Sequence, residues 1–374
     1  MKKDLSSLEL RYLAEEFEEL IGAKVSKVFQ PELKEIMLEL FVSGKGKKLL
    51  RIIVPNFIYL TSEKGNNPEN PLNFCSVLRK YLTNSFIGKI DQIGSERVLK
   101  IEFNAKDEKY IMVIELFSKG NMILCDKDMT IISAVEKQKW KDREIVRGNK
   151  YEYPLKEYNF FKLSEKELDE ALKKTTKDHI IATLAIDIGL GGTYSEEICL
   201  RAGLDKNADP NKITEEEINR LDKEIKRIAK EKKSPELIEN EKGVIDAVPF
   251  ELKCYDGCKK TKKKEYYDAI DYYVRNEFIK IKDQSESKYA NQIAKMKKLI
   301  DKQEEQLKNV EKISEEDRKK GELIYENYKL LDDVLKEIKK AREKYSWKEI
   351  KEKLKNHKLI KGVNEKEGKI LLEI

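Results

Sequence analysis

The chain has 374 residues, carries a net charge of +6 from 76 basic and 70 acidic side chains, and is 39% charged. That length allows two or three domains, and a charged fraction well above the roughly 25% of an average protein fits long solvated helices. No apolar run approaches the roughly 18 residues that a membrane span needs, and five irregularly spaced cysteines (Cys75, Cys125, Cys199, Cys254, Cys258) argue for reduced thiols in the cytoplasm rather than a disulfide framework.

In chain order, Leu5, Leu8, Tyr12, Leu13, Phe17, Leu20 and Ile21 make the buried stripe of a helix over 5–21, capped by Ser6 or Ser7 and ended by Gly22. Glu9 lies at the margin of that stripe, where a half-desolvated acid needs a partner. Strands follow at 25–29, 36–42 and 49–54, with Gly44 and Gly46 turning the second into the third. Asn66, Asn67, Pro68 and Pro71 make a loop. Phe74, Leu78, Tyr81 and Leu82 then share one helical face, and Arg79 and Lys80 point away from it. Ile90 and Ile93 lead into a turn at Gly94, and Val98, Leu99, Ile101 and Phe103 resume an extended pattern. The turn carries an acid beside a base, Glu96-Arg97. One reading is a pair of surface charges capping a strand. The other is a ligand site, because Arg offers a fork of donors suited to phosphate and Glu accepts from hydroxyls and amines. More strands at 110–117, 121–125 and 130–135, joined by tight turns, imply antiparallel pairing in an α+β domain.

A second module follows, with helices at 180–188 and 194–201 around Gly189-Leu190-Gly191-Gly192. Such a glycine turn either caps an ordinary helical hairpin or leaves amides free at a helix start to hold an anion. Strands at 243–255 return to the first domain, and the basic run from Lys259 to Lys264 reads as an exposed loop. Tyr289, Ile293, Met296, Ile300, Gln303, Leu307 and Val310 step by fours and threes, a coiled-coil seam that needs a partner. Two further apolar stripes follow Gly321, beginning at Leu323 and at Trp347, and 369–374 reads as a strand. The pair Cys254-x3-Cys258 has no second pair to complete a metal site, and His179 and His357 sit among polar helical residues. With no nucleotide loop or nucleophile–base pair in the sequence, no catalytic residue, metal or cofactor is assigned.

Four stretches carry a family resemblance. Phe74-Cys75-Ser76-Val77-Leu78-Arg79-Lys80-Tyr81-Leu82 with Ile90-Asp91-Gln92-Ile93-Gly94-Ser95-Glu96-Arg97-Val98 resembles the N-terminal domain of the NFACT family, the RqcH and NEMF proteins, some once called fibronectin-binding protein A. So do residues 115–125, the run Arg143-x-Ile145-x-x-Gly148-x-x-Tyr151-x-x-Pro154, and the string from Gly189 to Leu204. The resemblance implies an antiparallel-sheet domain over 1–172, a helix-hairpin-helix domain over 173–240, returning strands and a basic loop over 241–265, and a protruding coiled-coil arm with an incomplete tip domain over 266–374. In the family a second long helix returns along the arm, so the chain is expected to be an N-terminal fragment.

The resemblance also implies a factor of ribosome-associated quality control. Its partners would be a large ribosomal subunit blocked by peptidyl-tRNA and an incoming tRNA, tRNA-Ala among the candidates, and the ribosome would do the peptidyl transfer. Glu9, Glu96 and Arg97 would contact tRNA; the family usually has Asp at both acidic positions, and Glu is one methylene longer. Gly189, Gly191 and Gly192, with Arg79 and Lys80, would hold nucleic-acid backbone. The glycine string is also similar to formamidopyrimidine-DNA glycosylases, which makes a DNA-repair glycosylase/lyase the alternative. Against it, the chain starts Met1-Lys2-Lys3 where those enzymes use a Pro amine, and it lacks their four-Cys finger. A scaffold or adhesion role, suggested by the old family name, finds no secretion signal.

Overall fold

In the computed structural model, Ser6 starts the first helix by accepting from the Glu9 amide while the Glu9 carboxylate accepts from the Ser6 amide. This reciprocal cap satisfies two otherwise orphaned donors. Helix α1 runs Ser7–Glu16, shorter than its apolar stripe, and continues as a 3-10 turn, Phe17–Leu20. Leu5, Leu8, Leu13, Phe17 and Leu20 are all fully buried. The structure describes the chain except residues 66, 67, 69, 70, 107, 141, 142, 155, 156, 242, 356, 366 and 374 and the side chains of 280–293. The expected loop residues Asn66 and Asn67, and the side chains of Tyr289 and Ile293, lie outside the described residues.

The chain forms two units, Met1–Asp283 and Gln284–Ile374. The first is built on a nine-stranded sheet of order β4-β3-β2-β1-β5-β6-β7-β8-β9. One antiparallel meander comprises β1 (Lys24–Phe29), β2 (Glu35–Val42), β3 (Gly46–Ile53) and β4 (Phe57–Thr61). The second comprises β5 (Phe86–Gln92), β6 (Val98–Ala105), β7 (Glu108–Glu115), β8 (Asn121–Asp126) and β9 (Ile131–Ala134). Helix α2 (Asn73–Leu82) links them and buries Phe74, Cys75, Leu78 and Leu82. It has no side-chain cap of its own; instead the Gln30 side chain accepts from the Cys75 amide at 2.9 Å. The meanders meet where Lys24 of β1 pairs with Phe86 of β5.

Strand β4 is an addition to the sequence reading. All five of its residues are buried, so it shows none of the alternation that marks a half-exposed strand. A small hairpin, β10 (Gln138–Lys139) with β11 (Glu144–Ile145), follows the sheet.

Next come α3 (Glu165–Lys174), the short turn α4 (Ile180–Ala182) extended as a π-turn over Thr183–Asp187, α5 (Gly192–Ala202) and α6 (Glu215–Ile228). Strands β12 (Glu236–Asn240), β13 (Gly243–Val248) and β14 (Lys259–Lys262) form a separate sheet of order β13-β12-β14. The basic run is therefore an edge strand, not a loop. Lys259 pairs with Glu239 at 2.7 Å and Lys260 with Glu251 at 3.0 Å, so both are already spoken for; charges on an edge also discourage strand addition. Helix α7 (Tyr266–Tyr273) buries Tyr266, Ala269, Ile270 and Tyr273 completely, which places it in this unit's core rather than in an arm beginning at residue 266.

The second unit holds most of α8 (Ile279–Glu326), which runs through Gly321 and stops before Asn327, the residue that starts the next helix. Met296, Ile300, Leu307 and Val310 are each more than half exposed, so the described part of the seam is bare. Helices α9 (Tyr328–Arg342) and α10 (Trp347–Lys353) and the hairpin β15 (Ile360–Asn364) with β16 (Lys369–Leu372) share a small core of Ile338, Ile350 and Ile360.

The turn from β7 to β8 is sterically tight. Gly120 has φ +67°, and a Cβ there would sit 2.7 Å from the Pro55 backbone nitrogen. Gly148, at φ +91°, has open space around it. Both Gly→Ala changes carry the left-handed penalty of about 1–2 kcal/mol, and Gly120→Ala adds an overpacking cost of about 1–3 kcal/mol. Denaturant unfolding should show the Gly120 variant the less stable by that margin; equal losses would contradict the packing described.

Candidate functional site

Two segments far apart in sequence are first clamped together. The Gln92 side-chain amide donates to the Ser7 carbonyl at 2.8 Å, to Ser7 Oγ at 3.0 Å and to the Glu96 carbonyl at 2.9 Å. Ser7 Oγ in turn donates to the Ser95 carbonyl. These buried bonds hold the Ser95-Glu96-Arg97 turn against the start of α1.

A buried charge cluster then fixes the third segment. Lys2 Nζ donates to Glu9 Oε1 and, at 2.9 Å, to Asp246 Oδ1, with all three side chains less than a tenth exposed. Tyr194 Oη donates to the same Glu9 oxygen at 2.9 Å, and Tyr255 Oη donates to Asp246 Oδ2 at 2.6 Å. Burial pulls the Lys2 ammonium pKa down, but the Asp246 and Glu9 carboxylates outweigh it and the net shift is upward. Burial and the neighbouring Glu9 push the Tyr194 phenol well up, so it remains a donor. Main-chain bonds complete the arrangement: the Lys2 amide donates to the Ile245 carbonyl at 2.9 Å and Tyr273 Oη donates to the Lys2 carbonyl at 2.7 Å.

Because Tyr194 lies in the first turn of α5, its bond to Glu9 sets the glycine hairpin beside α1. Gly189 and Gly191 adopt φ +84° and +80°, which a side chain would strain. The Leu190 and Gly191 amides donate back to the Leu184 and Ala185 carbonyls. The hairpin therefore has fewer open amides than its glycines suggest, and the amides that α5 itself leaves without an acceptor are those of its first turn, at Gly192, Thr193 and Tyr194.

The result is one cavity of about 560 Å³ whose wall includes Glu9, Glu96, Arg97, Gly189, Gly191 and Gly192. Six residues singled out in three stretches of sequence thus share one space. Arg79 and Lys80 are not in its wall: Arg79 Nε donates to the Val28 carbonyl at 2.9 Å and Lys80 lies over the Tyr81 ring. The wall also carries Lys2, Lys3, Asp4, Asp246 and Tyr255, which sequence reasoning did not select. The Ser6-x-x-Glu9 spacing is a local signal that Glu9 belongs to a cap. Nothing local marks Asp246, 244 positions from its Lys2 partner.

Electrostatically the cavity is mixed. Arg97 donates to the Leu5 carbonyl at 3.0 Å and pairs with Asp4 at 3.0 Å, with side chains 25% and 48% exposed. An exposed pair of this kind contributes at most about 1 kcal/mol, so an incoming phosphate can replace Asp4 cheaply. The α5 amides add a partial positive charge on the same wall. Four carboxylates (Asp4, Glu9, Glu96, Asp246) stand against Lys2, Lys3 and Arg97. A ligand that offers phosphate to the cations and hydroxyl or amine donors to the acids matches this wall better than a bare anion.

Removing Lys2 would leave Glu9 and Asp246 buried without their cation. Lys2→Met should cost about 3–5 kcal/mol, whereas Lys3→Met, at an exposed position, should stay within about 0.5 kcal/mol. Equal denaturation midpoints for the two variants would contradict the buried cluster.

Comparison with known proteins identifies the family of the chain. The family described as NFACT N-terminal and middle domains matches residues 6–369. The archaeal Rqc2 homolog aRqcH of Methanocaldococcus jannaschii is 30% identical over an alignment that covers 100% of this chain and 58% of that protein. The ribosome quality control complex subunit NEMF homolog of Drosophila melanogaster is 22% identical, covering 95% of this chain and 42% of that one. The chain thus spans about half the length of these curated relatives. Among solved structures, the N-terminal part of the fibronectin/fibrinogen-binding protein of Streptococcus suis superposes with a TM-score of 0.59 at 21% identity, over 73% of this chain and 100% of that one. The fibrinogen-binding protein of Staphylococcus aureus gives 0.59 at 22% identity, over 72% and 98%. At these identities the structural likeness is one of fold. Matched almost from end to end by the family's pattern, the chain belongs to the NFACT family.

Proposed function

We propose that this chain is the tRNA-holding part of a ribosome-associated quality control factor. The observation that carries the reading is the convergence of the Glu96-Arg97 turn, the start of α1 and the glycine hairpin on one cavity. Arg97 exchanges Asp4 for an RNA phosphate, and the α5 amides take a second backbone oxygen. Glu96 accepts from ribose or base groups, as single-stranded loops of RNA present them. Glu9, held by Lys2, Tyr194 and the Ser6 amide, positions the wall rather than reaching the RNA. The names of the archaeal and fly relatives support the wider setting. In that setting the factor sits on a large ribosomal subunit obstructed by peptidyl-tRNA. It brings in tRNA, tRNA-Ala for alanine tails, and the stalled chain is extended without mRNA. Peptidyl transfer belongs to the ribosome, and this chain acts by positioning.

The test is a titration of the protein with total tRNA and with matched duplex DNA at two salt concentrations. A phosphate-driven contact weakens as salt rises. Charge-assisted hydrogen bonds are worth about 1.5–3 kcal/mol each, so Glu96→Ala/Arg97→Ala should cost tRNA affinity roughly tenfold or more with the melting temperature little changed. Equal binding of DNA, untouched by the double change, would overturn the reading and return attention to DNA repair, which an abasic-site cleavage assay would then decide.

A further inference from the structure

A row of side chains crosses six neighbouring strands of the large sheet on its open face. Lys47 of β3 is opposite Phe41 of β2, Phe41 is opposite Lys24 of β1, and Lys24 is opposite Phe86 of β5. Phe86 is opposite Asn104 of β6, and Asn104 is opposite Lys109 of β7. Residues in one cross-strand register stand on one face of a sheet. The next residues along the same strands, Val25, Leu40, Ile87 and Phe103, are buried in the core, so the row faces outward. Phe41 is 51% exposed and Phe86 49%. Phe41 and Phe86 thus stand on either side of Lys24, two half-bare aromatic rings on an otherwise polar row.

The order of the row, Lys-Phe-Lys-Phe-Asn-Lys, selects the cover. It contains no carboxylate. Lys24 and Lys109 form no ion pair among the described residues, and Lys47 reaches Glu39 only at 3.8 Å. Phe41 and Phe86 are two strand spacings apart, roughly 9.5 Å, with Lys24 between them in the register. Aromatic faces alternating with cations on an open sheet stack bases and neutralise the backbone that joins them. A protein partner would find the two apolar rings separated by the Lys24 position rather than joined in one patch.

We propose that this row is a docking surface for single-stranded RNA, in which Phe41 and Phe86 each stack a base and Lys24 contacts the intervening phosphate. It shares no residue with the cavity wall and does not depend on the role proposed for that cavity.

The experiment measures binding of a fluorescent twelve-nucleotide oligouridine to the whole 374-residue protein. Phe41→Leu/Phe86→Leu keeps an apolar surface and removes the aromatic faces. The expected result is a loss of roughly tenfold or more, with recovery in Phe41→Trp/Phe86→Trp and an unchanged melting temperature. Lys24→Ala should lower the slope of log affinity against log salt by about 0.7, measured in an Arg97→Ala background so that the cavity does not contribute. Binding insensitive to Phe→Leu, or no binding of the oligonucleotide at all, would overturn the proposal. Binding lost in Arg97→Ala but kept in the Phe variants would overturn it too, since the cavity would then be the RNA's seat.

Discussion

The buried ammonium of Lys2 holds the cavity end of the first unit together. It joins α1 through Glu9 and the small sheet through Asp246. Through the shared Glu9 oxygen it also positions Tyr194 at the head of α5. Two carboxylates this deeply buried would be untenable without a cation between them. Hydroxyls of Tyr194 and Tyr255 take up the lone pairs that Lys2 leaves. Three chain segments that share no local sequence logic are thereby fixed in one geometry, and the cavity is the space they leave.

Such a scaffold suits a site that must be in place before its ligand arrives. Arg97, the partly exposed cation of the cavity wall, is not one of the groups that bear the structure. Arg97 is held loosely by Asp4 and Leu5, while Gln92 and Ser7 fix the backbone beneath it. Binding can then spend its energy on contacts rather than on ordering the chain.

Much of this was legible in the residues. The stripe of α1, the α2 face and the meander strands follow from apolar spacing, and the turn at Gly94 and the hairpin at Gly189–Gly192 follow from glycine. The resemblance put Glu9, Glu96 and Arg97 together, and the structure adds the glycines to the same cavity wall. What could not be read has physical causes. Strand β4 is buried on both faces and loses the period-two signal. The basic run at Lys259 looks solvated until β12 supplies Glu239 across the ladder. Lys2 and Asp246 find each other only through the tertiary fold, and the Lys24 row exists only once six strands are in register. Arg79 and Lys80 matched the motif as residues, yet α2 carries them clear of the cavity wall.

Hydrogen–deuterium exchange on the protein with and without saturating tRNA tests the central claim most directly. If the three segments form one tRNA-holding cavity, tRNA should slow exchange together at the Gly192, Thr193 and Tyr194 amides and across the Ser95–Arg97 turn. Slowing at only one of these segments, or at neither while tRNA is bound, would contradict the account.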